Sequence, residues 1–194
     1  MRIISGKLKG RQLVSFNADH IRPTTDRVKE SVFNILAGNL IEARVLDLFS
    51  GTGNLAIESF SRGAKYVECV ESHKLSLRII RENLQKLNIE KDIRVISKDV
   101  FSYLKSYALD KNSADDSSRK FDVIFIDPPF TETLAHKCMS SIQNCDILSS
   151  DGVIVIESKK KERIDDVYGP LFLLDRRTFG DKVASFFALS KKTD

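Results

Sequence analysis

From Arg44 onward, short apolar runs alternate with longer amphipathic stretches. Residues 45–49, 66–71, 93–97, 121–127 and 153–157 are rich in β-branched and aromatic side chains and are of strand length. Between them, residues 55–62, 74–87, 100–109 and 133–142 carry helix-length patterns. Such alternation predicts βαβ units and a parallel sheet covered by helices on both faces, an α/β doubly wound, Rossmann-like fold. The tail departs from it. Residues 171–174 and 183–189 are separated by Thr178-Phe179-Gly180-Asp181 with no helix between, so an antiparallel hairpin is expected to finish the sheet edge.

The chain ahead of this alternation reads differently. Ile3, Ile4, Leu8, Leu13 and Val14 stand among Lys7, Lys9 and Arg11, with Gly6 and Gly10 as turn signals, which predicts a short basic β-hairpin. A helix follows, with Thr24 or Thr25 as N-cap, Asp26 in its first turn, and a core stripe of Val28, Val32, Ile35 and Leu36 that Gly38 ends. Two parts result: residues 1–40, a basic hairpin and helix, and residues 41–194, the α/β domain. Residues 110–119 are polar and charged and read as a mobile surface loop, inserted between helix and strand.

Length and composition narrow the class. A chain of 194 residues, 42% hydrophobic and 30% charged, suits one water-soluble domain with a small appendage. No apolar run approaches membrane-spanning length and the opening residues lack the apolar core of a signal peptide, so the expected location is the cytoplasm. Cys69, Cys138 and Cys145 are odd in number and form no C-x-x-C pair, while His20, His73 and His136 are scattered. Neither a disulfide framework nor a metal site is expected. Net charge is +4, yet residues 1–29 alone hold seven Lys or Arg against two Asp, so the rest of the chain carries −1. A basic excess confined to one end is compatible with a polyanionic partner or with a solvated face.

Candidate chemistry gathers at the predicted strand ends. The first strand runs into Asp47-Leu48-Phe49-Ser50-Gly51-Thr52-Gly53-Asn54, where two glycines permit a tight turn and close approach of a ligand ahead of the next helix. The third glycine of a dinucleotide fingerprint is replaced by Ala56, and the preceding Asp47 would repel a pyrophosphate but suits an ammonium or sulfonium. Both features speak against a nicotinamide oxidoreductase. Glu71 closes the second strand at about the spacing at which an acid takes ribose hydroxyls, and Asp99 follows the third, placed to accept from an adenine amino group. Each acid alone is compatible with a helix cap. Asp47, Glu71, Asp99 and Asp127 at four successive strand ends are a more specific pattern, which points to a nucleoside-type cofactor.

The fourth strand ends in Asp127-Pro128-Pro129-Phe130. Two prolines stiffen the backbone and leave only carbonyl acceptors, Asp127 adds an acceptor carboxylate, and Phe130 a flat apolar face. Such a corner suits a planar group carrying an NH2, whose two hydrogens the Asp127 carboxylate and Pro128 carbonyl would hold. A plain strand-ending turn is the simpler reading of the same residues.

Together the Asp-x-Phe-x-Gly-x-Gly loop, the ribose and adenine acids and Asp-Pro-Pro-Phe resemble class I S-adenosylmethionine-dependent methyltransferases of exocyclic amines. Arg2-Ile3-Ile4-Ser5-Gly6, the run from Arg22 to Glu30 and Ser61-Arg62-Gly63-Ala64 narrow the resemblance to the RsmD family of 16S rRNA guanine-N2 methyltransferases. Phe130 stands where that family commonly has tyrosine. The resemblance implies S-adenosyl-L-methionine as cofactor, with Asp47, Gly51 and Gly53 around its methionine end, Glu71 on the ribose, Asp99 and the Val100 backbone on the adenine, and Phe49 also in the cofactor site. It implies a catalytic set of Asp127, Pro128, Pro129 and Phe130, and a 16S rRNA partner, within the small ribosomal subunit or an assembly intermediate, held by Lys7, Lys9, Arg11, Arg22, Arg27 and Lys29. A monomer is the expectation that goes with this partner; the residues themselves do not fix the oligomeric state. Adenine-N6 methylation of DNA by the same Asp-Pro-Pro-Phe chemistry, and a non-catalytic RNA-binding protein, are the alternatives.

Overall fold

The apolar runs pair as their alternation requires. The computed structural model describes residues 1–14, 26–109, 119–129 and 133–190, and its sheet has the strand order β3-β2-β1-β4-β5-β8-β7-β6. The strands are β1 (Arg44–Leu48), β2 (Tyr66–Glu71), β3 (Ile93–Ser97), β4 (Phe121–Ile126), β5 (Leu148–Lys159), β6 (Val167–Tyr168), β7 (Leu171–Phe179) and β8 (Lys182–Leu189). Helices α1 (Asp26–Ile35), α2 (Asn54–Ser61), α3 (Lys74–Leu87), α4 (Val100–Leu109) and α5 (Leu134–Ile142) cover it. β1 pairs in parallel with both β2 and β4, so the winding reverses between β1 and β4 and opens a crevice at their carboxyl ends. β8 lies antiparallel to both β5 and β7, so the expected edge hairpin is present.

Alternate residues of each central strand enter opposite layers. Val45, Val67, Val123 and Val155 face one core with α1, α2 and α3, where the Phe33 and Phe125 rings lie 5.4 Å apart. Leu46, Ile124 and Ile154 face the other, with α4 and α5. Because both faces are covered, these strands read as largely apolar runs rather than as strict alternation, interrupted by Asp47, Glu68 and Asp122.

The departures from expectation have local causes. β5 starts at Leu148 rather than 153, because its register against β4 jumps from Phe121↔Leu148 to Val123↔Val153. The Ser149-Ser150-Asp151-Gly152 bulge broke the apolar run. β7 continues to Phe179 through half-exposed and exposed Asp175, Arg176, Arg177 and Thr178, residues that an apolar pattern does not mark. Gly38 does not stop α1: the helix tightens at Leu36 into a 3-10 turn, Ala37–Asn39, that contains it. Thr24 and Thr25 lie outside the described residues, as does the 110–119 stretch except for Arg119.

The expected N-terminal hairpin is short: among the described residues it has one isolated bridge, Arg2↔Gln12, flanked by the Ile3 and Leu13 N–H groups donating to Arg11 O and Met1 O, each at 3.0 Å, and the Gly10 N–H to Ile3 O at 2.9 Å, and its turn is fastened to α2. The Lys7 and Leu8 N–H groups donate to the Ser61 carbonyl and hydroxyl at 2.8 and 2.9 Å. Gly6, at φ +82°, passes so close that an added Cβ would sit 1.8 Å from the Ser61 carbonyl oxygen. Ile3 and Leu13 are buried in the same core as α1 and the sheet, so the described residues before 40 share a hydrophobic core with the α/β domain.

Candidate active site

β1 ends in a left-handed corner. Phe49 has φ 63°, followed by Gly51 at 55° and Gly53 at 77°; a non-glycine residue held there costs about 1–3 kcal/mol and is found at sites whose surroundings enforce it. Ser50 enforces it here, its N–H donating to Val70 O at 3.2 Å and its hydroxyl to Asp47 O at 2.6 Å. The Gly53 N–H closes the turn on Ser50 O at 2.7 Å, and α2 starts directly after it. A Cβ on Gly51 would meet nothing nearer than 3.9 Å, so the loop presents its backbone to open space.

Asp47 lies beneath this loop, 1% exposed. Its Oδ2 accepts the Ala56 N–H at 3.2 Å, while Oδ1 is buried with no hydrogen-bond partner among the described residues. Burial first, and then the neighbouring Asp127 carboxylate, hold the Asp47 carboxyl well above the usual carboxylate range. A buried acid with an orphaned oxygen beside a second acid is stabilised by an arriving cation, so the residues present fit a ligand carrying an ammonium or sulfonium.

Glu71, at the end of β2, bridges to the loop. Its Oε2 accepts the Gly51 N–H at 2.9 Å and its Oε1 the Ser72 and His73 N–H groups at 2.7 and 2.8 Å. A carboxylate has about four acceptor positions, so one is left for a hydroxyl donor. Asp99 is exposed and caps α4, its Oδ1 accepting the Ser102 N–H at 2.9 Å, while the buried Val100 supplies a first-turn helix N–H nearby. Phe101 packs edge-on against Phe49 at 6.4 Å, walling the crevice between β1 and α4. Across the switch point, the register Leu48↔Ile126 brings Asp127 level with Phe49. Asp127 is half-buried, Pro128 buried and Pro129 exposed; Phe130 lies outside the described residues. Asp47, Glu71 and Asp127 therefore converge, with Asp99 across the loop.

The profile of the family described as conserved hypothetical protein 95 matches residues 1–188. The chain belongs to this family. Ribosomal RNA small subunit methyltransferase D of Haemophilus influenzae is 35% identical over 82% of this chain and 79% of that protein. The Escherichia coli protein of the same name is 30% identical over 86% and 79%. Among solved structures, yhhF from Escherichia coli, 27% identical, superposes with a TM-score of 0.81 over 99% of each chain. The resemblance to the RsmD family is thereby borne out, and with it the Rossmann-like methyltransferase fold.

Of the basic residues expected to meet RNA, Lys7, Lys9, Arg11 and Arg27 are exposed. The Lys7 ammonium sits 3.4 Å from the Phe60 ring centroid, and Arg11 donates to Lys86 O at 3.3 Å. Arg22 lies outside the described residues. Lys29 is a correction: it is 1% exposed, with its ammonium 3.0 Å from Glu58, so no phosphate reaches it. It was misassigned because a basic residue beside an exposed helix face, after Arg27, carries no sequence mark of burial. Its partner Glu58 was missed for the complementary reason, as was Asn83, buried in α3 against Val14 and Thr52; neither sits in a motif. Phe101 had a readable signal, an aromatic residue two positions after Asp99.

Proposed function

We propose that this chain transfers the methyl group of S-adenosylmethionine to the exocyclic N2 of a guanine in 16S rRNA of the small ribosomal subunit. The observation that carries the reading is the buried Oδ1 of Asp47, without a hydrogen-bond partner among the described residues, beside Asp127 at the ends of adjacent strands β1 and β4. A cation site and an acceptor site for an aromatic amine thus share one crevice.

S-adenosylmethionine, when bound, supplies the electrophilic methyl on a sulfonium that is already a good leaving group. The chain's part is binding and orientation. Asp47 takes the ammonium, and the Gly51 and Gly53 corner admits the ligand close to the backbone. Glu71 accepts ribose hydroxyls; Asp99 and the Val100 N–H meet the adenine edge, with Phe49 and Phe101 as its apolar wall. The Asp127 carboxylate and Pro128 carbonyl accept the two N2 hydrogens, turning the nitrogen lone pair away from the ring and toward the methyl. Phe130 stacks on the base. Holding the reactants in line accounts for most of the rate, and the methylated amine sheds its proton to Asp127 or water. A paired guanine cannot enter such a corner, so the target base is unpaired or flipped out. Lys7, Lys9, Arg11, Arg22 and Arg27 hold phosphates and set register without reading sequence. The enzyme acts in the cytoplasm, as a monomer.

Incubation with radiolabelled S-adenosylmethionine and small-subunit particles from cells lacking this protein tests the proposal. Label mapped to N2-methylguanine in 16S rRNA is the expected result; N6-methyladenine, or no transfer to any RNA, overturns it.

A further inference from the structure

Two buried polar side chains connect the basic N-terminal segment to the glycine loop, and the proposed reaction uses neither. Asn83 of α3 is fully buried. Its Oδ1 accepts the Val14 N–H at 2.6 Å, and its Nδ2 donates to Val14 O at 3.1 Å and to Thr52 O at 3.0 Å. Both amide hydrogens are engaged, one by the basic segment and one by the residue between Gly51 and Gly53. Lys29 repeats the arrangement: its ammonium donates to Arg2 O at 2.7 Å and to Asn54 Oδ1 at 2.9 Å, and Asn54 opens α2 directly after Gly53. The Thr52 hydroxyl adds a weak contact of 3.9 Å to the Met1 sulfur.

A carboxamide whose two hydrogens bind two different segments keeps both bonds only in one relative placement of those segments. Losing the Thr52 bond leaves a buried carbonyl unsatisfied, at a cost of about 1–3 kcal/mol, and losing the part-buried Val14 bonds leaves the fully buried carboxamide itself short of partners. Segment and loop are thereby tied to each other's position. We infer that Asn83, aided by the Lys29–Asn54 contact, is a positioning residue that couples RNA engagement by the basic segment to the cofactor-binding form of the Gly51–Gly53 loop. The inference rests on the proposed function. By linkage, RNA and cofactor strengthen each other's binding by the same factor. Asn83 acting as interior support alone would affect stability and leave the two affinities independent.

The test is calorimetric titration of the full chain with S-adenosylhomocysteine, alone and with saturating unmethylated 16S rRNA. In the unaltered protein RNA is expected to tighten S-adenosylhomocysteine binding by about 5-fold or more. In Asn83→Ala that ratio falls toward one, although each ligand still binds separately. Asn54→Ala removes only one acceptor of Lys29 and keeps the Lys29–Glu58 pair, so it decides the matter should Asn83→Ala not fold; its ratio falls too. An undiminished ratio in the folded variants, or an unaltered protein that binds both ligands with no coupling, overturns the inference while leaving the proposed function standing. Failure to bind RNA at all overturns both.

Discussion

Lys29 Nζ lies 3.0 Å from Glu58 Oε2, with the two side chains 1% and 0% exposed. Glu58 also accepts the Ile4 and Ser5 N–H groups at 2.8 and 3.0 Å and the Arg62 Nε–H at 2.8 Å. One carboxylate in α2 thus organises α1 and the start of the chain. Breaking a buried pair leaves an uncompensated charge, so Lys29→Met is expected to lose about 3–5 kcal/mol in denaturant unfolding. Among molecules that still fold, the salt dependence of RNA binding stays at the unaltered slope, because Lys29 touches no phosphate. A reduced slope would return it to the RNA surface.

Asp47→Asn separates folding from binding. An acid whose pKa is raised by folding favours the folded state most at low pH, and that contribution is lost as pH climbs from the ordinary value of 3.8 toward the raised folded one. The carboxamide does not ionise. The melting temperature of Asp47→Asn without cofactor is therefore expected to gain on that of the unaltered protein as pH rises through this range. S-adenosylhomocysteine binding weakens over the same change, by about 10- to 100-fold, the value of a lost charged hydrogen bond. Equal affinity in calorimetry would remove Asp47 from the cofactor site.

Asp127→Ala makes the converse cut. Under the proposed function the substitution takes an acceptor from the substrate amine and leaves the Asp47 corner intact. Turnover is expected to fall by about 100-fold or more, with cofactor affinity within about tenfold of the unaltered value. Turnover that survives the substitution would place the chemistry elsewhere.

Two glycines in the basic segment predict opposite severities. Both have positive φ, but a Cβ on Gly6 runs into the Ser61 carbonyl at 1.8 Å, whereas one on Gly10 meets nothing within 4 Å. Gly10→Ala carries only the left-handed backbone penalty of about 1–2 kcal/mol. Gly6→Ala is expected to exceed about 3 kcal/mol, or to lift the segment off α2. Unfolding midpoints and protease sensitivity near the N-terminus distinguish the pair.

Much of this architecture was legible because the physics that made it is local. Strands 66–71 and 93–97 and helices 74–87 and 100–109 coincide with β2, β3, α3 and α4, since each carries its own period and turn residues at its ends. The acids at strand ends were legible for a related reason: a parallel sheet puts strand termini on one rim, so position along the chain implies position in space. Long-range polar contacts lack this property. Nothing near Lys29 announces Glu58, and nothing near Asn83 announces Thr52, because those bonds are decided by how α1, α2 and α3 pack. The β5 bulge and the polar half of β7 were hidden similarly, their hydrogen bonds supplied by neighbours rather than by their own side chains.

The antiparallel strand β8 fills an interior position of the sheet, against β5 on one side and β7 on the other. During synthesis, then, β5 waits with one row of backbone amides and carbonyls exposed until residues 182–189 have left the ribosome. A chain halted at the Gly180 turn would carry every acid of the candidate site and still offer β5 to the first extended peptide it met. For this fold, late truncation is an aggregation hazard before it is a loss of chemistry.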